Sequence, residues 1–393
     1  MLRLLRPTIG PAGVLLMATI LVAGASGEAG AAAAKPSEYT IGAALPLSGS
    51  SAAVGVEFQS GIQTALDEIN SAGGVDGVPL AARFLDNQSA AGPSVNDINL
   101  LNSLGIQAVI MTSSAGVLAT APLATSYKML MLNPAGSSPA LIGVSPYLFS
   151  NITSIRAEAD VLLPYLRKQG LGRMVLYGQN DAFGSAAATY IKPLWEKLGG
   201  TFLSAELEDA TAVDHAAEIA KIKASNPDIV YIAAATRQAG TFIQQSGQLG
   251  LHAQLAGFSG LQSGGVLDLA GQYGEGMLVS APAVALDESN PLSTSYRTTF
   301  TSAFPGADPT NVYSILAHDA VLIYRDAIQQ VDKDGKEYSG DNLRQAINTI
   351  KTFNVAGGTT VFNDDGSSSS AISLFKVKGG KFEEFETVQP DAK

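Results

Sequence analysis

The stretch from Ala108 to Pro139 limits what this chain can fold into more than any other. It reads as strand, corner, helix, strand, corner. An apolar run, Ala108–Met111, leads into Thr112-Ser113-Ser114-Ala115-Gly116 and a helix over Val117–Lys128. A second apolar run, Met129–Leu132, leads into Asn133-Pro134-Ala135-Gly136-Ser137-Ser138-Pro139. Both runs have the length of buried parallel strands. In an open α/β sheet, ligands sit just beyond the carboxyl ends of such strands. Free N–H groups at the next helix start, with serine hydroxyls beside them, favour an anion there. The corners bearing Ser114 and Ser137 could thus grip one small carboxylate. The alternative is that both serines merely cap helices, the commoner duty of serine in that position.

Composition narrows the function. The 393 residues suffice for two domains, and 46% hydrophobic against 15% charged residues allows a sizeable core. A net charge of −11 argues against nucleic acid, whose phosphates call for clustered Lys and Arg. With no cysteine, the chain has no disulfide, thiolate metal site, Cys nucleophile or lipid-anchoring Cys. Residues 1–34 read as a cleaved secretory signal: Arg3 and Arg6, the apolar Val14–Ala25, then the small-residue sites Ala29-Gly30-Ala31 and Ala32-Ala33-Ala34. The apolar run falls short of the ~20 residues that span a bilayer. The expected place is therefore the periplasm or the exterior, without direct membrane insertion.

Strand–helix alternation runs through most of the chain and implies parallel sheets with right-handed crossovers. Strands are expected at Tyr39–Leu45, Leu80–Leu85, Leu148–Ser150, Met174–Tyr177, Phe202–Leu207, Ile229–Ala233, Leu255–Phe258 and Met277–Val279. Between them lie helices such as Arg156–Lys168, which Pro164 should kink or loosen, Phe183–Leu198 and Gln238–Leu249. Longer helices follow at Leu292–Phe304, Thr310–Val331 and Asp341–Ile350, then strands Thr359–Phe362, Ile372–Val377 and Lys381–Thr387.

Signatures of catalysis are sparse. No phosphate-cradling loop is present. Gly257-Phe258-Ser259-Gly260 misses the nucleophile-elbow spacing at Leu261. His215, His252 and His318 lie far apart, and His215, on a polar helix face, is a weak candidate for a zinc ligand or triad base. Asp364-Asp365-Gly366-Ser367 lacks the alternating carboxylates of a calcium loop. Neither a metal nor a cofactor is expected.

Several local patterns agree with one family: Ala43-Ala44-Leu45-Pro46-Leu47-Ser48-Gly49, and Ala65-Leu66-Asp67-Glu68-Ile69-Asn70 followed by Gly73-Gly74-Val75-Asp76-Gly77. The Asn133–Pro139 corner and Asn226-Pro227-Asp228-Ile229-Val230 fit it too. From about Ser37 onward, the chain resembles the periplasmic solute-binding proteins of ABC transporters, of the leucine/isoleucine/valine-binding type. The resemblance implies two doubly wound α/β lobes joined by three crossovers near Asn151–Thr153, Ser280–Pro282 and Asn363–Gly366. Residues 35–152 with 282–362 would form one lobe, and 153–281 with 363–393 the other. It implies a non-enzymatic, monomeric receptor that closes on a small molecule and delivers it to permease subunits. A ligand-sensing subunit of a regulatory system and, less so, a secreted hydrolase are the alternatives.

Carried over position by position, Ser114 matches the first carboxylate-binding turn, and Ala135 and Ser137 match positions whose backbone and hydroxyl hold the same carboxylate. Val54 falls where an aromatic often lines the pocket, Phe183 where amino-acid binders carry Tyr, Ala235 or Thr236 where they carry another, and Ser259 where they carry Glu. A buried ammonium needs an anionic or multiply accepting partner. With Ser259 and Phe183 in those places, the carboxylate half of the site is kept and the amino half is not. The expected solute is a carboxylic acid without an α-amino group, aromatic or branched aliphatic. Arg237 is either a second anion contact or a solvated arginine at a helix start.

Overall fold

A computed structural model describes residues 35–234, 236–284 and 286–388. The expected signal segment and Ala235 lie outside them.

The first sheet takes its strands from the start of the chain: β1 (Tyr39–Leu45), β2 (Leu80–Asp86), β3 (Ala108–Met111), β4 (Leu130–Asn133) and β5 (Leu148–Ser150). Their order is β2-β1-β3-β4-β5 and every pairing is parallel. Side chains two apart on a strand share a face, so each apolar run feeds two cores. Ile41, Ala43, Ile110 and Leu132 pack against α1 (Ala52–Ser71), α10 (Val312–Lys333) and α11 (Gly340–Ile350). Ala44, Val109, Met111 and Met131 pack the other way, onto α2 (Ala91–Ser103) and α3 (Ser114–Tyr127). Helices α1 and α10 press together at Gly61, where any Cβ would lie 2.0 Å from the Ser314 carbonyl oxygen. Buried His318 adds a polar tie: Nε2 meets Glu68 of α1 at 2.9 Å, and Nδ1 meets Asp319 at 3.3 Å. Burial opposes its charge, but Asp319 and Glu68 outweigh that and raise its pKa.

The second sheet is built from β6 (Arg173–Gln179), β7 (Thr201–Glu208), β8 (Ile229–Ala233), β9 (Gln254–Gly257), β10 (Leu278–Pro282), β14 (Ile372–Lys378) and β15 (Lys381–Val388). In the order β15-β14-β10-β9-β8-β6-β7, only the pairings of β14 are antiparallel. Met174, Leu176 and Tyr231 face α4 (Ile155–Lys168) and α5 (Ala182–Lys197). Val175, Tyr177 and Ile232 face α6 (Ala216–Ala224), α7 (Thr236–Gln248) and α8 (Gly264–Ala270). Helix α9 (Pro291–Ala303) lies beside α1.

Three details depart from the sequence reading. A small antiparallel sheet, β11 (Thr352–Val355), β12 (Gly358–Phe362) and β13 (Ser368–Ser369), was not anticipated beyond β12. Its Phe353, Val355 and Phe362 join the first sheet's core. Helix α4 runs unbroken through Pro164. The carbonyl that Pro164 leaves free belongs to Asp160, which is exposed and open to water. His215 is fully buried rather than on a polar face, because it precedes α6 and turns inward to Glu208 (2.6 Å), Tyr177 (3.0 Å) and Thr241 (2.8 Å).

Candidate ligand-binding site

The carboxyl ends of strands from both sheets converge on one cavity of about 130 Å³. The segments after β1, β3 and β4 supply Pro46, Thr112–Ala115 and Ala135–Ser137. From the second sheet, the segments after β6, β8 and β9 supply Gln179 and Asp181, Thr236, and Phe258 with Gly260. An apolar cavity of ~150 Å³ admits benzene, so the space suits a ring-sized solute.

The corner serines divide their labour. Ser113, at φ 71°, caps α3 by accepting the Gly116 N–H at 3.1 Å. Ser138 caps the short turn Pro139–Leu141 by accepting the Ala140 N–H at 3.3 Å. Capping thus falls to the neighbours of the two serines singled out by the sequence. Ser114 is the first residue of α3, and its Oγ accepts the Ser138 N–H at 3.2 Å, which locks one corner to the other. Its hydroxyl hydrogen remains available. Both the N–H and hydroxyl of Ser137 lack a partner among the described residues, while its carbonyl accepts the Ile155 N–H at 2.8 Å. At α3 the N–H groups of Ser114 and Ala115 are the orphan donors of a helix start, where the dipole adds to the attraction for an anion. Gly136 permits this approach, since a Cβ there would stand 3.1 Å from the Ser114 nitrogen.

Asn133, at the end of β4, shapes the second corner. Its Oδ1 accepts the Ala135 and Gly136 N–H groups at 3.2 and 2.6 Å, and its Nδ2 donates to the Gly136 carbonyl at 2.7 Å. Ala135 lines the cavity, but the amide expected to help hold a carboxylate is committed inside its own turn.

Aromatic rings flank the serines. Phe58 and Tyr313, from α1 and α10, meet edge to face with centroids 5.2 Å apart. Phe183 and Phe258 form a tilted pair at 5.0 Å from the second-sheet side. Such pairs present faces and edges suited to another ring.

Of the residues read from the sequence, Ser114, Ala135, Ser137, Val54, Phe183 and Thr236 all line this cavity. Ser259 does not. Its N–H and hydroxyl donate to Glu158 at 2.7 and 2.8 Å, behind the wall formed by its neighbours Phe258 and Gly260. Arg237 is exposed and is absent from the lining among the described residues. Sequence reasoning missed Phe58, Gln179, Asp181, Phe258 and Tyr313. Asp181 carried a signal, as an Asp opening a helix, and it does cap α5 through the Gly184 N–H at 2.9 Å.

With the geometry in view, comparisons with known proteins define the class. The chain belongs to the periplasmic binding protein family, whose model matches residues 38–381. Members are substrate-binding receptors that work with ABC transporter permeases, and the fold is the two-lobed type I form. The chain is 24% identical over 370 residues to Leu/Ile/Val-binding protein homolog 3 of Brucella melitensis, covering 93% of this chain and 98% of that protein. It is also 24% identical over 333 residues to the leucine-, isoleucine-, valine-, threonine- and alanine-binding protein of Pseudomonas aeruginosa, covering 83% and 86%. A leucine-binding protein from Thermotoga maritima superposes with TM-score 0.82 at 21% identity, covering 90% of this chain and 99% of that one. A solute-binding protein from R. palustris in complex with benzoate superposes with TM-score 0.79 at 19% identity, covering 90% and 98%.

Proposed function

We propose that this protein captures a small carboxylic acid without an α-amino group, aromatic or branched aliphatic, and delivers it to an ABC permease. The observation that carries this reading is the pair of serines, Ser114 and Ser137, whose hydroxyl hydrogens have no acceptor among the described residues and which line a cavity walled by four aromatic rings. The carboxylate sits between the corners, where helix-start N–H groups and hydroxyls donate to it. The body of the solute lies among Phe58, Tyr313, Phe183 and Phe258. Neighbours of the same fold in complex with benzoate and 4-hydroxybenzoate support the aromatic option, and the Leu/Ile/Val-binding relatives support the branched one.

Residues 35–152 with 282–362 act as one lobe and 153–281 with 363–393 as the other. They close on the solute as a monomer in the periplasm or outside the cell, without catalysing a reaction. In support of a crossing near Pro282, β10 pairs with second-sheet strand β14 up to that residue. A second reading is favoured by one observation. Asp181 and Gln179 stand on the cavity wall as acceptors for an ammonium, as an α-amino acid would require.

Isothermal calorimetry with benzoate, 4-methylpentanoate and leucine separates the two. Tighter binding of either acid than of leucine supports the proposal. Tight leucine binding with neither acid bound favours the second reading. Product accumulating beyond one equivalent of protein would replace both with catalysis.

A further inference from the structure

Glu158 lies in the first turn of α4, fully buried. Oε2 accepts the Ser259 N–H at 2.7 Å and Oε1 the Ser259 hydroxyl at 2.8 Å, so one carboxyl holds both polar groups of one residue. That residue sits between Phe258 and Gly260, both on the cavity wall. The same turn of α4 hangs from the Ser137 corner through the Ile155 N–H. One helix start therefore touches both the Ser137 corner and the Phe258 segment.

We propose that Glu158 is a positioning residue for solute capture: by clamping Ser259 it fixes Phe258 and Gly260 against the cavity. The inference rests on the cavity being the solute site, not on which acid fills it.

Among the described residues, no cation pairs with Glu158. Ser259 is its hydrogen-bonding partner, while the Ser280 hydroxyl donates to the Gly257 carbonyl at 3.3 Å, and the phenols Tyr231 of β8 and Tyr313 of α10 are the titratable groups that feel its charge. On its own helix, Arg156 lies over the Tyr190 ring and Asp160 accepts from the Tyr190 hydroxyl, both engaged at the surface. Burial pushes the Glu158 carboxyl up to about 8, against the two Ser259 hydrogen bonds. As a neutral acid it donates its own hydroxyl hydrogen to Ser259 Oγ. As an anion it accepts both Ser259 bonds and places a negative charge behind the Phe258 segment, which disfavours an anionic solute in the cavity.

The test is calorimetric titration of benzoate and of leucine from pH 6.5 to 9.5, with wild type, Glu158→Gln and Glu158→Leu. For whichever acid wild type binds, affinity should fall several-fold as pH rises through 8. Glu158→Gln, whose amide mimics the neutral acid, should stay within about threefold of wild type at pH 7 with a flat profile. Glu158→Leu should bind at least tenfold more weakly at every pH. Wild-type affinity in Glu158→Leu, or an undiminished pH slope in Glu158→Gln, overturns the proposal. Binding of neither probe by wild type counts against the solute reading instead. Hydrogen exchange on the unliganded proteins then decides: Glu158→Leu should speed exchange at Ser259 at least tenfold relative to β8, and Glu158→Gln should not. Unchanged protection in Glu158→Leu contradicts the clamp.

Discussion

The two walls of the cavity are made of different material. On the first-sheet side, the polar groups lining the cavity are backbone N–H groups and two serine hydroxyls, set by strand ends and one helix start. On the second-sheet side the lining is made of side chains, the rings of Phe183 and Phe258 and the polar Gln179 and Asp181, with Glu158 buried behind them. A wall of backbone donors recognises a class of head-group and tolerates change around it. A side-chain wall decides which member of the class fits, and it depends on the protonation of what supports it.

pH is the largest lever on that contrast. The folded pKa of Glu158, about 8, lies above its ordinary 4.5. Its contribution to stability is therefore complete below pH 4.5 and is lost as pH rises toward 8, at up to about 1.4 kcal/mol per pH unit. Urea unfolding at pH 5 and pH 8.5 should show a smaller loss for Glu158→Gln than for wild type. Equal losses would mean that the second wall does not rest on a buried acid.

Ser114→Ala and Ser137→Ala probe the first wall. Each should weaken benzoate binding by roughly 1.5–3 kcal/mol, the worth of a charge-assisted hydrogen bond, with little change in melting temperature for Ser137→Ala and a lower one for Ser114→Ala, which orphans the buried Ser138 N–H. Unchanged affinity in both would place the acid elsewhere. Phe258→Ala should narrow the preference for benzoate over acetate by about 1 kcal/mol, since a paired ring is lost from one wall only. A proportional loss for both ligands would indicate collapse of the loop instead. The smallest effect is expected from Asp181→Asn, which should alter benzoate affinity by no more than about 0.5 kcal/mol. A selective loss of leucine binding in that variant would make Asp181 the ammonium partner and sharpen the second wall's role.

The same division decides what the sequence could reveal. The first wall was legible because its geometry follows from local pattern. Apolar runs of four ending in small hydroxyl residues specify buried strands, and what lies beyond such strands is a binding edge. Even there, one residue of offset mattered. Ser113 and Ser138 cap, and the capping role expected for Ser114 and Ser137 is absent among the described residues, although Ser113, Ser114 and Ser137 all line the cavity. The second wall was legible only in part. Phe183 and Thr236 followed from the resemblance, but Phe258 and Tyr313 are brought together by packing across the whole chain. Glu158 was invisible because nothing local pairs it with Ser259, 101 residues away. The small third sheet escaped for a related reason: β13 has only two residues and gains its place by pairing with β12.

The most direct measurement is a crystal structure of the protein grown with benzoate. The account predicts the carboxylate within hydrogen-bonding distance of both the Ser114 and Ser137 hydroxyls, with the ring between Phe58 and Tyr313 on one side and Phe183 and Phe258 on the other. Benzoate bound with its carboxylate turned toward Asp181, or lodged outside this cavity, would contradict it.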